Sequence, residues 1–279
     1  MQKIQEPPTC EFPHMKGIIF KNGTRSDSFD RFLECTNEKE ILAKIIKKIL
    51  KEDGSNSLER SLLDIGTGRG ILTRQIKGKF QYMMLVEPDT TIYPELTRTF
   101  KGQNYELVPY TLEFAEKEKL IPQGFNTILM DYSLHYFDDY EKILRKLISH
   151  AKKGANLIIN YTALVNGKGK KSDYAEMLQR FSLPVTGRDE LIKPHTYVVG
   201  TLANLGLEGE VETVTTEIEI PCVENALNFC DFYFDVPKEK IDPQIIGELA
   251  EFFGKKKRAY DGKVIIKYDH AIIHCKIKE

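Results

Sequence analysis

The 279-residue sequence has no tryptophan and only five cysteines. The cysteines are scattered, odd in number and without a C-x-x-C pair, which disfavours a disulfide framework or a structural zinc site. We therefore expect a reducing compartment, the cytoplasm. Neither sign of charge predominates, because the sequence has 40 Lys and Arg residues and 41 Asp and Glu residues, a net charge of −1. This balance argues against a protein that binds the phosphate backbone of nucleic acids, and it predicts no nucleic-acid partner.

Long apolar stretches are absent as well. No uncharged run approaches the roughly 18 residues that a membrane-spanning helix needs, and residues 1–13 lack the apolar core of a signal peptide. We therefore expect no membrane partner. Carboxylates and histidines show no recognisable ligand spacing, so we expect no metal either. The remaining composition, with 41% hydrophobic residues, fits one elaborated globular domain, which we expect to be a monomer.

Short apolar runs alternate with helical patterns from Ser61 onward. The predicted strands are 61–65, 82–86, 105–109, 127–131, 156–161, 211–220 and 264–277. An amphipathic helix is predicted over 140–151, with Gly154 as the C′ residue that follows it. The alternation predicts an α/β fold with a doubly wound, mostly parallel seven-stranded sheet.

Two kinds of flanking segment fall outside this alternation. Residues 1–60 are predicted to form an arm and helices that act as a lid over a substrate, and residues 61–279 to form the main domain. Insertions interrupt that domain at about 164–189 and 223–260, and the second one is helical and precedes the last strand. Because loops and insertions often carry binding residues, we expect the substrate pocket to involve them.

Three alternating glycines follow the first predicted strand in the run Asp64-Ile65-Gly66-Thr67-Gly68-Arg69-Gly70. Glycine permits positive φ and close approach of a ligand to the backbone, and the helix that follows offers free N–H groups. The second strand ends at Glu87, 21 residues beyond Gly66, where doubly wound folds place an acid on ribose hydroxyls. The spacing is G-x-G-x-G, with Ile71 where a dinucleotide fingerprint has its third glycine, and no G-K-[ST] follows. A loop that binds a nucleoside without phosphates has neither requirement.

This run resembles the class I S-adenosylmethionine-dependent methyltransferases, as do Val86-Glu87-Pro88 and the segment Asp131-Tyr132-Ser133-Leu134-His135-Tyr136 after the fourth strand. The resemblance covers roughly residues 61–161 and implies a Rossmann-like methyltransferase fold with S-adenosyl-L-methionine as cofactor. It implies that the glycine loop wraps the methionine and ribose, and that Glu87 holds both ribose hydroxyls. The implied cofactor-binding residues are Asp64, Gly66, Thr67, Gly68, Gly70, Glu87, Pro88, Thr111, Leu112, Asp131, Tyr132 and Ser133.

The flanks resemble the histamine N-methyltransferase-like subfamily, through residues 28–33, 36–38, 262–264 and 272–274. This resemblance implies a small-molecule acceptor, an amine nitrogen that receives the methyl group and whose binding involves Glu38. The implied substrate-binding residues are Arg25, Phe29, Glu38, His135, Tyr136, Phe229 and Tyr268, with His135 and Glu38 as the catalytic candidates. Arg25 replaces a family tyrosine, Tyr268 replaces an amide side chain, and the pocket tryptophans of the family are missing, which argues against histamine itself.

Other interpretations of these residues stay open. Glu38 begins a predicted helix, where a carboxylate also complements the helix dipole, and Phe229 suits a buried core as well as a pocket. His135 is either a general base or a polar pocket wall. As a base it would suit an O-methyltransferase acting on hydroxyl or carboxylate groups, as in natural-product tailoring. A nucleic-acid methyltransferase ranks low because residues 131–134 depart from the Asp/Asn-Pro-Pro-aromatic motif, and the intact glycine loop argues against a non-catalytic cofactor-binding module.

Overall fold

A seven-stranded sheet organises the chain, which this computed structural model describes over residues 31–52, 60–166, 168–188 and 192–278. The strands are β1 (Ser61–Ile65), β2 (Tyr82–Val86), β3 (Tyr105–Val108), β4 (Phe125–Asp131), β5 (Ala151–Thr162), β6 (Gly209–Ile220) and β7 (Val264–Lys276). Their order across the sheet is β3-β2-β1-β4-β5-β7-β6. Strands β1 to β5 pair in parallel, whereas β7 is antiparallel to both β5 and β6. The predicted α/β class with a mostly parallel seven-stranded sheet is confirmed.

Helices cover both faces of this sheet. They are α1 (Glu38–Glu52), α2 (Ile71–Ile76), α3 (Tyr93–Thr99), α4 (Leu112–Lys117), α5 (Tyr140–Ser149), α6 (Asp173–Thr186), α7 (His195–Asn204), α8 (Val223–Leu227), α9 (Cys230–Phe234) and α10 (Pro243–Lys255). On one face, Leu42 and Ile46 of α1 share a buried cluster with Leu62 of β1. On the other, Ile143 of α5 shares a cluster with Leu63, the next residue of β1. Successive strand residues point to opposite faces, so strands covered on both sides are continuously apolar. This is why short apolar runs in the sequence predicted these strands.

A third buried cluster lies beside the sheet, over its β6–β7 end. Phe181 of α6 and Phe252 of α10 pack in this cluster together with Tyr268 of β7. The first part of the helical insertion predicted at about 223–260 consists of two short helices, α8 and α9. Phe229 lies between them and places its ring edge-on to Phe32, 6.4 Å between centroids. These segments therefore pack aromatic side chains beside the carboxyl ends of the central strands.

The connection from α5 to β5 differs from the prediction. The helix ends at Ser149, and Gly154 lies within β5 instead of following the helix C-cap. The backbone carbonyl of His150 accepts hydrogen bonds from the N–H groups of Gly124 and Phe125 at 2.8 and 2.9 Å. The residue that follows the helix is therefore already bonded to the start of β4. The register then shifts between Phe125 and Thr127, which accommodates the extra residues of β5. The predicted role of Gly154 was wrong because these non-local bonds end the helix earlier.

Three findings concern the described residues as a whole. No helix among them combines the length and apolar character that crossing a membrane requires. They contain no group of three His, Cys, Asp or Glu side chains arranged around a possible metal ion. The cysteines among them, Cys35, Cys222, Cys230 and Cys275, are free thiols.

Candidate active site

The glycine loop turns at the carboxyl end of β1. Gly66, Gly68 and Gly70 have φ values of +71°, +54° and +67°, in the left-handed region that favours glycine. A Cβ atom on Gly66 would lie 2.6 Å from the Cβ of Ser133, and one on Gly70 would lie 2.8 Å from the ring of Phe100. A Cβ on Gly68 would meet nothing within 4 Å. The two ends of the loop therefore need glycine for close packing, whereas its middle faces open space.

The tight contact at Gly66 gives a testable expectation. Gly66→Ala should lower the free energy of unfolding by about 2 kcal/mol, because left-handed strain of roughly 1 kcal/mol adds to overpacking against Ser133. Gly102→Ala is the matched control, since Gly102 also has a positive φ, +79°, but a Cβ atom there would meet nothing within 4 Å. Urea unfolding of both variants measures the difference, and an equal loss in the two would contradict the packing argument.

Glu87, directly after β2, joins the glycine loop to the second strand. Its carboxylate accepts the backbone N–H of Gly68 at 2.8 Å and that of Asp89 at 2.9 Å. The side chain is buried, and burial raises the pKa of this carboxyl above its ordinary value, although the two N–H bonds act in the opposite direction. Each carboxylate oxygen has a further lone pair. Glu87 can therefore accept hydroxyl donors from the cavity that it lines.

Asp64 lies beneath the loop and is 1% exposed. One of its oxygens accepts a hydrogen bond from the Thr73 hydroxyl, and Oδ1 has no partner among the described residues. Burial raises the pKa of Asp64 to about 7; the Thr73 hydrogen bond opposes this rise, and the carboxylates of Asp131 and Glu87 add to it. Asp64 therefore carries a poorly compensated charge whenever it is ionised at neutral pH.

A buried ion-pair network faces the loop from the start of α1. The Nζ of Lys39 lies 2.7 Å from the Asp131 carboxylate and 3.0 Å from that of Glu38. Burial alone would lower the pKa of Lys39, but the carboxylates of Asp131 and Glu38 outweigh it and raise the pKa. Glu38 is 3% exposed, and its Oε2 has no hydrogen-bond partner among the described residues. The network therefore holds two carboxylates around one ammonium and leaves one carboxylate oxygen available.

One cavity of about 760 Å³ connects Glu87 with the ion-pair network of Lys39, Glu38 and Asp131. Glu87 follows β2 and Tyr268 lies on β7, and the sheet places β1, β4 and β5 between them. Neighbouring strands are about 4.8 Å apart, so these two residues stand at opposite ends of the cavity. Aromatic side chains line much of its wall, namely Phe32, Tyr132, Tyr136, Phe137, Tyr140, Tyr174, Phe232, Tyr233, Phe234 and Tyr268. The cavity therefore has a glycine-loop end near Glu87 and an aromatic end near Tyr268.

Residues 31–205 of the chain match a family model described as a methyltransferase domain. The chain belongs to this family. It is an S-adenosylmethionine-dependent methyltransferase of class I. No curated protein matches the sequence.

Solved structures of low sequence identity share the fold of this methyltransferase. A candidate methyltransferase from Bacillus halodurans has a TM-score of 0.59 at 14% identity, covering 84% of this chain and 98% of that chain. The YcgJ protein from Bacillus subtilis has a TM-score of 0.58 at 12% identity, over 84% and 97% of the two chains. A candidate type II methyltransferase from Anaeromyxobacter dehalogenans has a TM-score of 0.54 at 15% identity, over 84% and 96%. At these identities the likeness concerns the fold alone.

The cavity of the methyltransferase brings together many of the site residues predicted from the sequence. They are Glu38, Gly66, Thr67, Gly68, Glu87, Pro88, Asp131, Tyr132, Ser133, His135, Tyr136 and Tyr268. Two other predicted residues, Arg25 and Phe29, lie outside the described residues. The cavity therefore joins the predicted cofactor and substrate residues into one continuous space.

Five predicted residues do not line this cavity: Asp64, Gly70, Thr111, Leu112 and Phe229. Asp64 is buried below the loop, and Gly70 packs against an aromatic ring. The Thr111 hydroxyl accepts the N–H of the third residue beyond it, at 3.3 Å, and caps α4. Leu112 and Phe229 are buried in hydrophobic clusters. For these five, local packing or capping accounts for the position of the side chain.

Sequence reasoning missed other residues of the methyltransferase site. Lys39, Thr162 and Tyr174 line the cavity, and His270 lies behind it with its ring hydrogen-bonded to the Tyr132 hydroxyl. Lys39 had a usable signal, because a lysine in the first turn of a helix opposes the helix dipole unless carboxylates surround it. His270 had none, since a histidine in an apolar β run also suits an ordinary core position.

Proposed function

We propose that this methyltransferase transfers a methyl group to the nitrogen of a small amine. The observation that carries the proposal is Oε2 of Glu38, a buried carboxylate oxygen on a residue of the cavity wall with no hydrogen-bond partner among the described residues. Leaving a buried acceptor unpaired is costly. A bound amine would donate to this oxygen, and a carboxylate favours the cationic form of such a ligand.

The surroundings of Glu38 support a cationic ligand. Two carboxylates, of Glu38 and Asp131, surround the single ammonium of Lys39, so the network has an excess of one negative charge. Aromatic faces attract cations, by about 0.5–2 kcal/mol depending on desolvation. The rings at this end of the cavity include Phe32, Tyr174 and Phe232. Charge and aromatic lining therefore both favour a small molecule with a basic nitrogen and an apolar body.

The glycine-loop end supports the cofactor part of the proposal. Open space beside Gly68 leaves room for a ligand against the backbone, and the carboxylate of Glu87 can accept from ribose hydroxyls. We therefore assign Gly66, Gly68, Glu87 and Ser133 to the S-adenosyl-L-methionine site. When bound, this cofactor supplies an electrophilic methyl group on a positively charged sulfur.

The protein contributes orientation and exclusion of water. Methyl transfer requires the acceptor nitrogen to be held in line with the methyl group, and positioning supplies most of the rate. The nitrogen must also have a free lone pair, so an amine protonated in solution loses its proton first. Glu38 would hold the amine by a hydrogen bond, and His135, on the cavity wall, is our candidate to receive that proton.

The segments outside the sheet would close the aromatic end. Phe32 and Glu38 come from the N-terminal part of the chain, whereas Phe232 and Tyr233 come from α9 in the helical insertion. Because these four residues line the same cavity, we propose that the N-terminal segment 1–60, which the structure describes over 31–52 and at residue 60, acts with the insertion at 223–260 as a lid over the acceptor.

Replacing Glu38 by glutamine tests the amine assignment. Glu38→Gln should raise the KM of an amine acceptor about 10- to 100-fold, because a hydrogen bond to a charged group is worth about 1.5–3 kcal/mol. The dissociation constant for S-adenosylhomocysteine should change less than about threefold, because the residues assigned to the cofactor are unaltered. Wild type is first screened against amines, hydroxyl compounds and carboxylates by release of S-adenosylhomocysteine, and the variant is then compared on the best amine.

Glu40→Gln provides the matched control, since Glu40 is an exposed carboxylate in the same first turn of α1. It should leave the amine KM unchanged. Equal effects of the two variants would mean that Glu38 acts only through the helix dipole. Turnover of hydroxyl or carboxylate compounds with no amine active would overturn the proposed nitrogen acceptor in favour of an O-methyltransferase.

A further inference from the structure

We propose that His270 is a positioning residue that fixes the phenol of Tyr132 as a second hydrogen-bond acceptor for the substrate, so that the site selects amines with at least two N–H groups. The inference rests on the proposed amine acceptor and adds to it a residue and a substrate class. His270 lies on β7, is fully buried and is not part of the cavity wall.

Tyr132 is held in an uncommon conformation directly after β4. Its φ is +54°, a value that bulky side chains rarely adopt and that costs about 1 kcal/mol. Its backbone N–H donates to the Asn160 carbonyl at 3.1 Å. The Nζ of Lys39 lies 4.6 Å from the centre of its ring, and the ring of Tyr268 lies 6.2 Å away. Strained residues of this kind cluster at functional sites because the surrounding contacts hold them in place.

The imidazole of His270 is held between two hydroxyl groups. Nδ1 is hydrogen-bonded to the Tyr132 hydroxyl, and Nε2 lies 2.6 Å from the Thr216 hydroxyl. Burial and the nearby Lys39 ammonium lower the pKa of His270 to about 3, although the Asp131 carboxylate acts in the opposite direction. The ring is therefore neutral at physiological pH, with one nitrogen as donor and the other as acceptor. A neutral ring of this kind is unsuited to act as the base.

A neutral imidazole bonded to two hydroxyls donates to one of them and accepts from the other. Burial raises the pKa of Tyr132, so its phenol keeps its proton and can donate it. We assign Nδ1 as the acceptor of the Tyr132 proton and Nε2–H as the donor to the Thr216 hydroxyl, which is the tautomer that leaves the Tyr132 oxygen able to accept. With its proton directed at His270, the Tyr132 oxygen has two lone pairs. The neighbouring Tyr268 hydroxyl can donate to one of them, and the other is left for a donor from the cavity.

This oxygen and the carboxylate of Glu38 lie close to each other. Oε2 of Glu38 is 4.0 Å from Nδ1 of His270. The same nitrogen is hydrogen-bonded to the Tyr132 hydroxyl. Glu38 and Tyr132 both line the cavity, so the proposal places two acceptors against one substrate nitrogen. A nitrogen that satisfies both needs two N–H groups, as in a primary amine or its ammonium form, whereas a protonated tertiary amine has one.

Kinetics on matched amines tests this assignment. The substrates are the best primary amine found for wild type and its N,N-dimethyl counterpart. His270→Leu should raise the KM of the primary amine about 10-fold, reduce the selectivity between the two amines to near unity, and leave the S-adenosylhomocysteine affinity unchanged within about twofold. His270→Asn, whose carbonyl oxygen can replace Nδ1, should restore the selectivity to within about threefold of wild type. His274→Leu on the same strand is the control, because His274 bonds to Asn156 at 2.9 Å and does not line the cavity.

Nitrogen-15 NMR of the histidine rings adds a readout that needs no acceptor. The His270 ring should stay neutral between pH 8 and pH 5, protonated at Nε2, and Tyr132→Phe should shift the Nδ1 resonance. A proton on Nδ1, a titration in that pH range, or unaltered KM and selectivity in His270→Leu would overturn the assignment. If wild type methylates no amine, the proposed function fails separately, and the NMR result still decides whether His270 positions Tyr132.

Discussion

Glu87→Gln is expected to weaken the binding of S-adenosylhomocysteine by about 100-fold or more. The carboxylate of Glu87 accepts two backbone N–H groups and lines the cavity, and we assign its remaining lone pairs to ribose hydroxyls. Glutamine replaces one oxygen by an N–H donor, so bonds to a charged acceptor worth about 1.5–3 kcal/mol each are lost. A loss near 2.7 kcal/mol corresponds to about 100-fold in the dissociation constant.

Calorimetric titration with S-adenosylhomocysteine measures this loss. Glu106→Gln is the matched control, because Glu106 is an exposed carboxylate on the neighbouring strand β3 that bonds to Tyr82 at 3.0 Å. It should bind the ligand like wild type. The unfolding temperature of Glu87→Gln should stay within a few degrees of wild type, since removing a buried charge offsets the lost loop bonds. Unchanged affinity in a folded Glu87→Gln variant would contradict the assigned role.

Much of the sheet could be predicted because local patterns determine it. Strands covered on both faces, such as Tyr82–Val86, appear as short apolar runs, and the predicted bounds of this strand match the structure. The pairing of β7 between β5 and β6 depends on contacts far apart in sequence, which no local pattern specifies. The same limit explains Gly154, because the bonds that end α5 come from Gly124 and Phe125.

The candidate site likewise has a part that could be predicted from the sequence and a part that could not. The glycine loop and Glu87 form a fingerprint with fixed spacing, so their joint position on one cavity could be predicted. The Lys39–Asp131 ion pair joins residues 92 positions apart, and the Tyr132–His270 bond joins residues 138 positions apart. Neither pair leaves a spacing signal in one sequence, although each determines the charge or donor pattern of the cavity. Local sequence therefore indicated the cofactor end better than the acceptor end.

Asp64→Asn is expected to stabilise the protein at pH 8 by up to about 4 kcal/mol. Burial raises the pKa of Asp64 from 3.8 to about 7, so the folded state holds this proton more tightly than the unfolded chain. Wild type therefore loses stability as the pH rises from about 4 to about 7, and the loss persists above pH 7. Asparagine does not titrate, and its carbonyl oxygen can still accept the Thr73 hydroxyl.

Urea unfolding at pH 5 and pH 8 measures the effect, and the advantage of Asp64→Asn should shrink at the lower pH. Asp261→Asn is a control of opposite sign, because the Arg258 guanidinium lowers the pKa of Asp261 to about 2. That variant should be slightly less stable than wild type at both pH values. An Asp64→Asn variant less stable than wild type at pH 8 would mean that the ionised carboxylate is compensated. If Asp64→Asn is more stable than wild type, as we expect, then wild type retains a destabilising acid beneath the glycine loop. Such a residue is expected where function limits stability.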